Sequence, residues 1–309
     1  MGHEECSSDG SGGVSVDTPT VPDLGSRRRT RRSVRNSVAT FAMGSSLVVI
    51  LIPLLLVVTY LVQKGSVLFG WDFLTADIPT RRTLGPGMGP AVVGTLIITG
   101  TATLIAVPLG VLGGIYLNEY GVQSRPARLL RLLADVMTGV PSIVMGLFIY
   151  TFVSLKTEAL NGLSGALALA ALMLPVIIRS TEEMLLLVPD DLRSGSLALG
   201  ARQVTTIRRV VLPAALPGII SGILLAVARA AGETAPLLFV IGLTLKVNPS
   251  LFGPNTALSV QIFRNAVQPF EGAQQRAWAA ALTLVLLVFL FTVLARLMTA
   301  LFARRNAPA

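Results

Sequence analysis

Apolar residues run in long unbroken stretches along this chain, separated by shorter polar segments in which arginine predominates. Six stretches stand out, at about residues 38–62, 91–117, 133–155, 160–178, 217–245 and 277–294. At ~1.5 Å of rise per residue, a helix through each can cross a hydrocarbon core of ~30 Å. The pattern predicts an all-α integral membrane protein with six transmembrane helices. Pro53, Pro141 and Pro175 fall inside or near the ends of three stretches. The second stretch, GTLIITGTATLIAVPLGVLGG, is rich in glycine and threonine, which suits close helix packing in lipid. No internal repeat is visible.

Composition agrees with this reading. The 309 residues are 52% hydrophobic and 13% charged, with a mean hydropathy of +0.72, where a soluble domain carries about a quarter charged residues. The net charge of +9 does not imply nucleic acid, because the arginines flank apolar segments, where membrane topology accounts for them. Cys6 and His3 are the sole cysteine and histidine, both in the N-terminal segment, so neither a disulfide framework nor a Cys/His metal site is expected. Residues 1–26 are rich in Ser, Gly, Asp and Pro and cannot bury enough apolar surface to offset their ordering entropy. With the arginine-rich RRRTRRSVR they form an expected disordered tail over 1–36, ahead of a membrane domain over 37–309. MGHEEC lacks the sixth-position Ser or Thr of a myristoylation signal. The first apolar stretch is longer than a signal-peptide core, so an uncleaved span is expected.

Loop charges orient the bundle. With the N-terminus in the cytoplasm, 17 of the 25 Lys and Arg residues fall in inside segments and 7 outside, with Arg229 within a span. The asymmetry predicts both termini cytoplasmic in a multi-pass cell-membrane protein.

The longest inside connection, within a cytoplasmic loop over 180–213, reads as two short amphipathic helices joined at a glycine. Pro189, Asp190 and Asp191 start the first, with acids in the favoured first turn. Gly200 stands where that helix must stop and turn. The second is expected over 202–211, ahead of Pro213, with Val204, Ile207 and Val211 on one face. A hairpin lying on the membrane surface fits this pattern. The spacing also resembles the signature loop of ATP-binding-cassette (ABC) importer permeases: glycine, nine residues, an aliphatic residue, any residue, leucine-proline. Gly200, Val210 and Leu212-Pro213 match it, while Ser194-Gly195-Ser196 stands where that family has an acid and two alanines. The resemblance implies that Gly200, Ala201, Val204, Ile207, Leu212 and Pro213 dock on a separate ATPase. The chain has no G-x-x-x-x-G-K-[ST] loop, so ATP, the one nucleotide implied, binds the partner and no cofactor is expected here.

The fifth stretch contains LLAVARAAGETAPLLFVIGL, in which Arg229 and Glu233 interrupt an otherwise apolar sequence. Counted from Pro217, Arg229 is expected near the bilayer midplane, where an arginine costs at least ~2.5–3.5 kcal/mol. Glu233, at i+4, can neutralise it. Pro236 cannot donate to the Gly232 carbonyl, so the helix is expected to kink or open there. Broken helices of this kind are where transporters commonly bind solute. Two readings stay open: an ion pair internal to the packing, or a polar station on an anion path. In the second, the arginine fork matches phosphate oxygens, and Glu233 accepts the proton that phosphate carries and sulfate lacks.

RAAGETAPLLF (229–239), GIYLNEYG (114–121), GVPSIVMGLF (139–148) and LPVIIRSTEEML (174–185) together resemble the PstA-type permeases of phosphate-specific ABC importers, in the same order over about residues 88–300. The resemblance implies a type I importer permease fold. It implies three partners: a second permease of PstC type, a dimeric ABC ATPase and an extracytoplasmic phosphate-binding protein. It implies phosphate-facing roles for Arg229, Glu233 and Thr234, and for Arg179, whose i+4 partner is expected to be Glu183. Arg179 is also readable as a positive-inside anchor and Asp135 as an interfacial cap. The outside stretch 247–267 is expected to hold a short amphipathic helix that either receives the binding protein or shields the outer mouth. A permease for sulfate or molybdate, a passive anion channel and an intramembrane enzyme are the alternatives. The last is disfavoured by the want of a histidine within the spans.

Overall fold

The computed structural model describes residues 31–79, 85–121 and 124–305, and every regular element among them is helical. Residues 1–30 of the expected tail, with Cys6 and His3, lie outside the described residues, as do Arg81 and Arg82. Two units divide the chain, Met1–Leu56 and Val57–Ala309. The described part of the first is one helix, the beginning of α1 (Arg31–Gly65), which therefore starts within the segment expected to be tail. Its Phe41, Leu47, Ile50 and Leu55 are exposed, an arrangement that lipid, itself apolar, leaves unpenalised.

In the second unit the last turns of α1 reach α13 (Glu271–Arg305), where Tyr60 meets Trp278 edge-on at 5.1 Å. Between them come α2 (Trp71–Thr75) and α3 (Gly89–Ile115), which a single π turn, Tyr116–Tyr120, extends. Next are α4 (Arg125–Gly139) and α5 (Ser142–Ile149), the latter prolonged by a π turn, Tyr150–Ser154, and α6 (Leu155–Thr157). The central α7 (Gly162–Leu186) leads to α8 (Asp190–Ala198) and α9 (Gln203–Thr206). From α9 the chain passes through a π turn, Ile207–Val211, straight into α10 (Leu212–Gly232). Short α11 (Leu237–Val240) and α12 (Leu258–Ala266) precede α13.

Among the described residues, five helices are long and apolar enough to cross a membrane, and a sixth crossing is made if the pair α4 with α5–α6 counts as one. That pair is the expected third span, and it is not straight: its halves meet at 107°. Val140 is extended (φ −71°, ψ 129°) ahead of Pro141, because the proline ring bars its neighbour from helical geometry. The expected fifth span differs at both ends. Its helix begins back at Gln203, since the π turn before Pro213 absorbs the missing N–H without breaking the rod. It ends at Gly232, short of the expected 245.

The helix α7 packs on α3, α10, α4 and α5. Small residues let it do so closely. A Cβ at Gly110 or Gly114 of α3 would stand 2.6 Å from Ile177 Cγ2 or Thr181 Cβ of α7, distances no real side chain tolerates, so the pair of glycines sets how near the two helices come. Around this contact Ile98, Ala102, Leu169, Met173, Ile177, Ala226 and Leu237 form the main core. A second cluster, with Phe73, Met88, Ala91 and Leu258, closes the end that carries α12, and a third, with Leu185, Val188, Val211 and Ile219, closes the end that carries α8.

Candidate functional site

Arg229 and Glu233, expected within the fifth span, lie at the broken end of α10. The backbone leaves helical geometry at Glu233 (ψ 126°), resumes at Leu237, and keeps Pro236 buried against Gly146 of α5. Arg229, in the last turn before the break, has Nε 3.5 Å from Glu233 Oε1. The arginine side chain is 74% exposed and the glutamate 21%. The pair is thus not sealed inside this chain's own packing. Arg229 shares a face of α10 with Gly218, Gly222 and Leu225, at helical spacings of 11, 7 and 4 residues. Leu225 and Arg229 on that face are exposed, whereas Gly218 and Gly222 lie against Met184 and Ser180 of α7. A groove of about 430 Å³ lined by Ser180, Gly218, Ser221, Gly222, Ala228 and Arg296, among others, lies beside these glycines. Thr234 is half-buried within the break, its carbonyl accepting from Leu238 N–H at 3.2 Å. On the other side, Ser259 of α12 donates to the Glu233 carbonyl at 3.0 Å. The amphipathic helix expected in 247–267 is α12, and one face of it is buried: Leu258, Val260, Gln261 and Asn265 point into the bundle, with Leu258 N–H bonded to Thr95 Oγ1 at 2.8 Å.

Arg179 is placed differently from expectation. Its Nη1 donates to Glu182 Oε2 at 3.0 Å and its Nε to Asp135 Oδ1 at 2.8 Å. The carboxylates bonded to it are therefore Asp135 and Glu182, in place of Glu183. The reason is angular: Glu182 is buried on the side of α7 that faces α4, and Glu183, one position on, is turned to the exposed side. Asp135, expected as a cap, is the cross-helix partner. Arg131 completes the cluster, with Nε 2.6 Å from Glu182 Oε1 and Nη2 donating to the Leu117 carbonyl at 2.8 Å. Two guanidinium groups and two carboxylates join α4 to α7, with Glu182 only 6% exposed. A buried carboxylate is tolerable because both its oxygens are paired.

At the opposite end from α12, α8 starts after Pro189 and the chain turns at Gly200, as expected. Gly200 has φ +82°, the left-handed region that a side chain resists. Ser196 and Thr206 hydroxyls bond across the turn at 2.9 Å, fastening α8 to α9. Leu192, Leu197, Leu199 and Val204 are exposed at this tip, Leu199 at 91%. Of the residues expected to meet an ATPase, Gly200, Val204 and Pro213 are exposed, and Ala201 and Leu212 are half-buried. Ile207 is buried within this chain. Val211, one turn on, is also buried, in the third core cluster, while Val204, three positions before Ile207 and nearer the tip, is left exposed.

Sequence reasoning passed over Glu182, Arg131, Glu119 and Arg193. Arg193 of α8 bonds Glu119 Oε1 at 3.2 Å, and Gln203 of α9 donates to the Glu119 carbonyl at 2.9 Å. Only the presence of Glu119 inside GIYLNEYG marked it. Arg276 is wholly buried in α13. Among the described residues no cluster of His, Cys, Asp and Glu suits a metal ion.

Among the described residues, an all-helical bundle with five or six apolar helices long enough to cross a membrane is that of a multi-pass membrane protein. Residues 106–307 match the family of binding-protein-dependent transport system inner membrane components. The chain is 39% identical over 290 residues, 93% of its length and 98% of the relative's, to the phosphate transport system permease protein PstA of Yersinia pestis. It is 39% identical to PstA 1 of Mycobacterium tuberculosis H37Rv, over 94% of this chain and 96% of that one. To PstA of Haemophilus influenzae it is 41% identical, over 77% and 84%. The chain belongs to this inner-membrane permease family, among its PstA-type members. Two solved structures share the fold. One is a permease chain of a bacterial alginate ABC transporter (TM-score 0.63, 16% identity, 88% of this chain and 97% of that one). The other is from the MetNI methionine ABC transporter in inward-facing form (0.56, 20%, 69% and 93%). The fold is that of type I ABC importer permeases.

Proposed function

We propose that this chain is the permease subunit through which an ATP-driven importer moves inorganic phosphate across the cell membrane. The observation that carries the reading is Arg229, held at a helix break beside Glu233 yet 74% exposed, with Leu225 one turn away exposed on the same face. A guanidinium in an apolar span is costly, and its fork suits two phosphate oxygens. A second permease of PstC type walls this face, so that the path lies between the two subunits. An extracytoplasmic phosphate-binding protein delivers the ion. Both termini and the Gly200 hairpin are cytoplasmic, and the exposed leucines of α8 dock on a dimeric ABC ATPase. ATP is hydrolysed there, and this chain makes and breaks no covalent bond. Closure of the ATPase moves the hairpin, α10 reorients, phosphate passes Arg229, and hydrolysis restores the inward state.

Glu233 gives the path its selectivity by accepting a hydrogen bond from the P–OH of hydrogen phosphate, a donor that sulfate lacks at neutral pH. The test is uptake by proteoliposomes holding this chain with its second permease and ATPase, given loaded binding protein. Labelled phosphate should enter only with ATP, and sulfate or molybdate should not compete. Competition by sulfate points to the sibling oxyanion permease, and uptake without the ATPase points to a passive channel.

A further inference from the structure

The π turn Tyr116–Tyr120 at the end of α3 is gripped from two sides. From the hairpin, Arg193 of α8 bonds Glu119 Oε1 at 3.2 Å and Gln203 of α9 bonds the Glu119 carbonyl at 2.9 Å. Both arms of the hairpin thus close on one residue. Arg193 is itself fixed, donating to the Val188 and Leu185 carbonyls at 2.7 Å each. Glu119 is fixed too: its side chain is 8% exposed, and Asn118 donates to the same oxygen at 2.7 Å. On its far side the turn meets the charged cluster, where Arg131 donates to the Leu117 carbonyl while its Nε holds Glu182. Glu182 and Asp135 hold Arg179.

We propose that this turn is a joint that carries movement of the hairpin to the charged cluster of α4 and α7, with Glu119 as its positioning residue. The inference rests on the permease reading above and adds a route to it: besides pulling α10 directly through the π turn at Ile207, the hairpin pulls α4 and α7 through Glu119. The geometry suits the task. A π turn is a one-turn insertion into helical register that recurs at functional positions. A charge-assisted contact between largely buried partners holds its length under load better than an exposed pair, which side-chain entropy and water loosen. Arg193 and Glu119 are 74 positions apart in sequence, so the contact couples separate elements.

The test uses the complete importer in proteoliposomes. Glu119→Gln keeps the shape and the Asn118 contact and removes the charge. ATP hydrolysis without binding protein should persist in it, stimulation by phosphate-loaded binding protein should be lost, and phosphate uptake should fall at least tenfold. Arg193→Glu should do the same, and the exchange Glu119→Arg with Arg193→Glu should recover most of the stimulation. Recovery in the exchange distinguishes a transmitted charge contact from a merely structural one, because a structural defect would accumulate. The proposal is overturned if Glu119→Gln responds fully to loaded binding protein, or if the exchange is no better than the single variants. Failure of the wild-type complex to import phosphate at all sinks the permease reading instead, and is read before any variant.

Discussion

Ser259 Oγ donates to the carbonyl oxygen of Glu233 at 3.0 Å, tying buried α12 to the first residue beyond the helical part of α10. The carbonyl it satisfies is one that the break would leave without an intrahelical donor. Ser259→Ala should therefore lower the stability of the complex by about 1 kcal/mol, seen as a small drop in its melting temperature. Uptake should fall several-fold, because the Arg229–Glu233 pair loses its support. Unchanged melting and transport would show the bond to be incidental.

Arg229→Gln removes the fork and the charge while keeping similar bulk. Phosphate uptake should be abolished, and co-purification with the second permease and ATPase should be intact. Arg229→Lys keeps the charge and loses bidentate geometry, so partial uptake with a raised half-saturation concentration is expected. Wild-type transport in the Gln variant would remove Arg229 from the path.

Glu233→Gln leaves Arg229 without its anionic neighbour. Phosphate transport should drop, and sulfate should compete more strongly than it does with the parent. A variant as selective as the parent would assign selectivity elsewhere.

At Gly200 the constraint is conformational, since a Cβ there would meet nothing within 4 Å. Gly200→Ala should cost only ~1–2 kcal/mol through the left-handed backbone. A bulky residue such as Gly200→Val should in addition disturb the docking tip. ATP hydrolysis that no longer responds to loaded binding protein is the expected signature, read on the reconstituted importer. Equal coupling in the two variants would leave backbone strain as the whole effect.

Glu182→Gln should be the most damaging to folding. It strips a carboxylate from between Arg131 and Arg179, and breaking a buried ionic contact costs ~3–5 kcal/mol. The measurement is the midpoint of denaturation in detergent, expected to fall sharply relative to an exposed-site control such as Glu183→Gln.

The crossing segments were legible because lipid imposes one simple demand, a long apolar helix, and hydropathy reports it. Their ends were less so. The break at Pro236 was foreseen from a lost hydrogen bond, yet the chain leaves the helix at Glu233, where the proline ring already crowds its predecessors. The bend at Val140 and the continuity through Pro213 are the two fates of a proline, and which one occurs is decided by neighbouring packing. Arg179 shows the main limit. A single helix offers it Glu183 at i+4, but Asp135 arrives from α4, 44 residues away, and no local spacing announces that. Val204 and Ile207 share a side of a wheel drawn at 3.6 residues per turn, yet Val204 stands exposed at the tip and Ile207 is covered by this chain, a difference of position along the helix that a wheel does not show.

The break after Gly232 has a mechanical meaning. In a continuous rod, twisting one end twists the other, and α11 would have to follow α10. Here non-helical backbone lies between them, anchored by Pro236 on α5 and by Ser259 at Glu233. Under the proposed mechanism the interruption would act as a swivel: torque delivered at the hairpin would turn Arg229 toward one side of the membrane or the other while the far half of the segment stays seated.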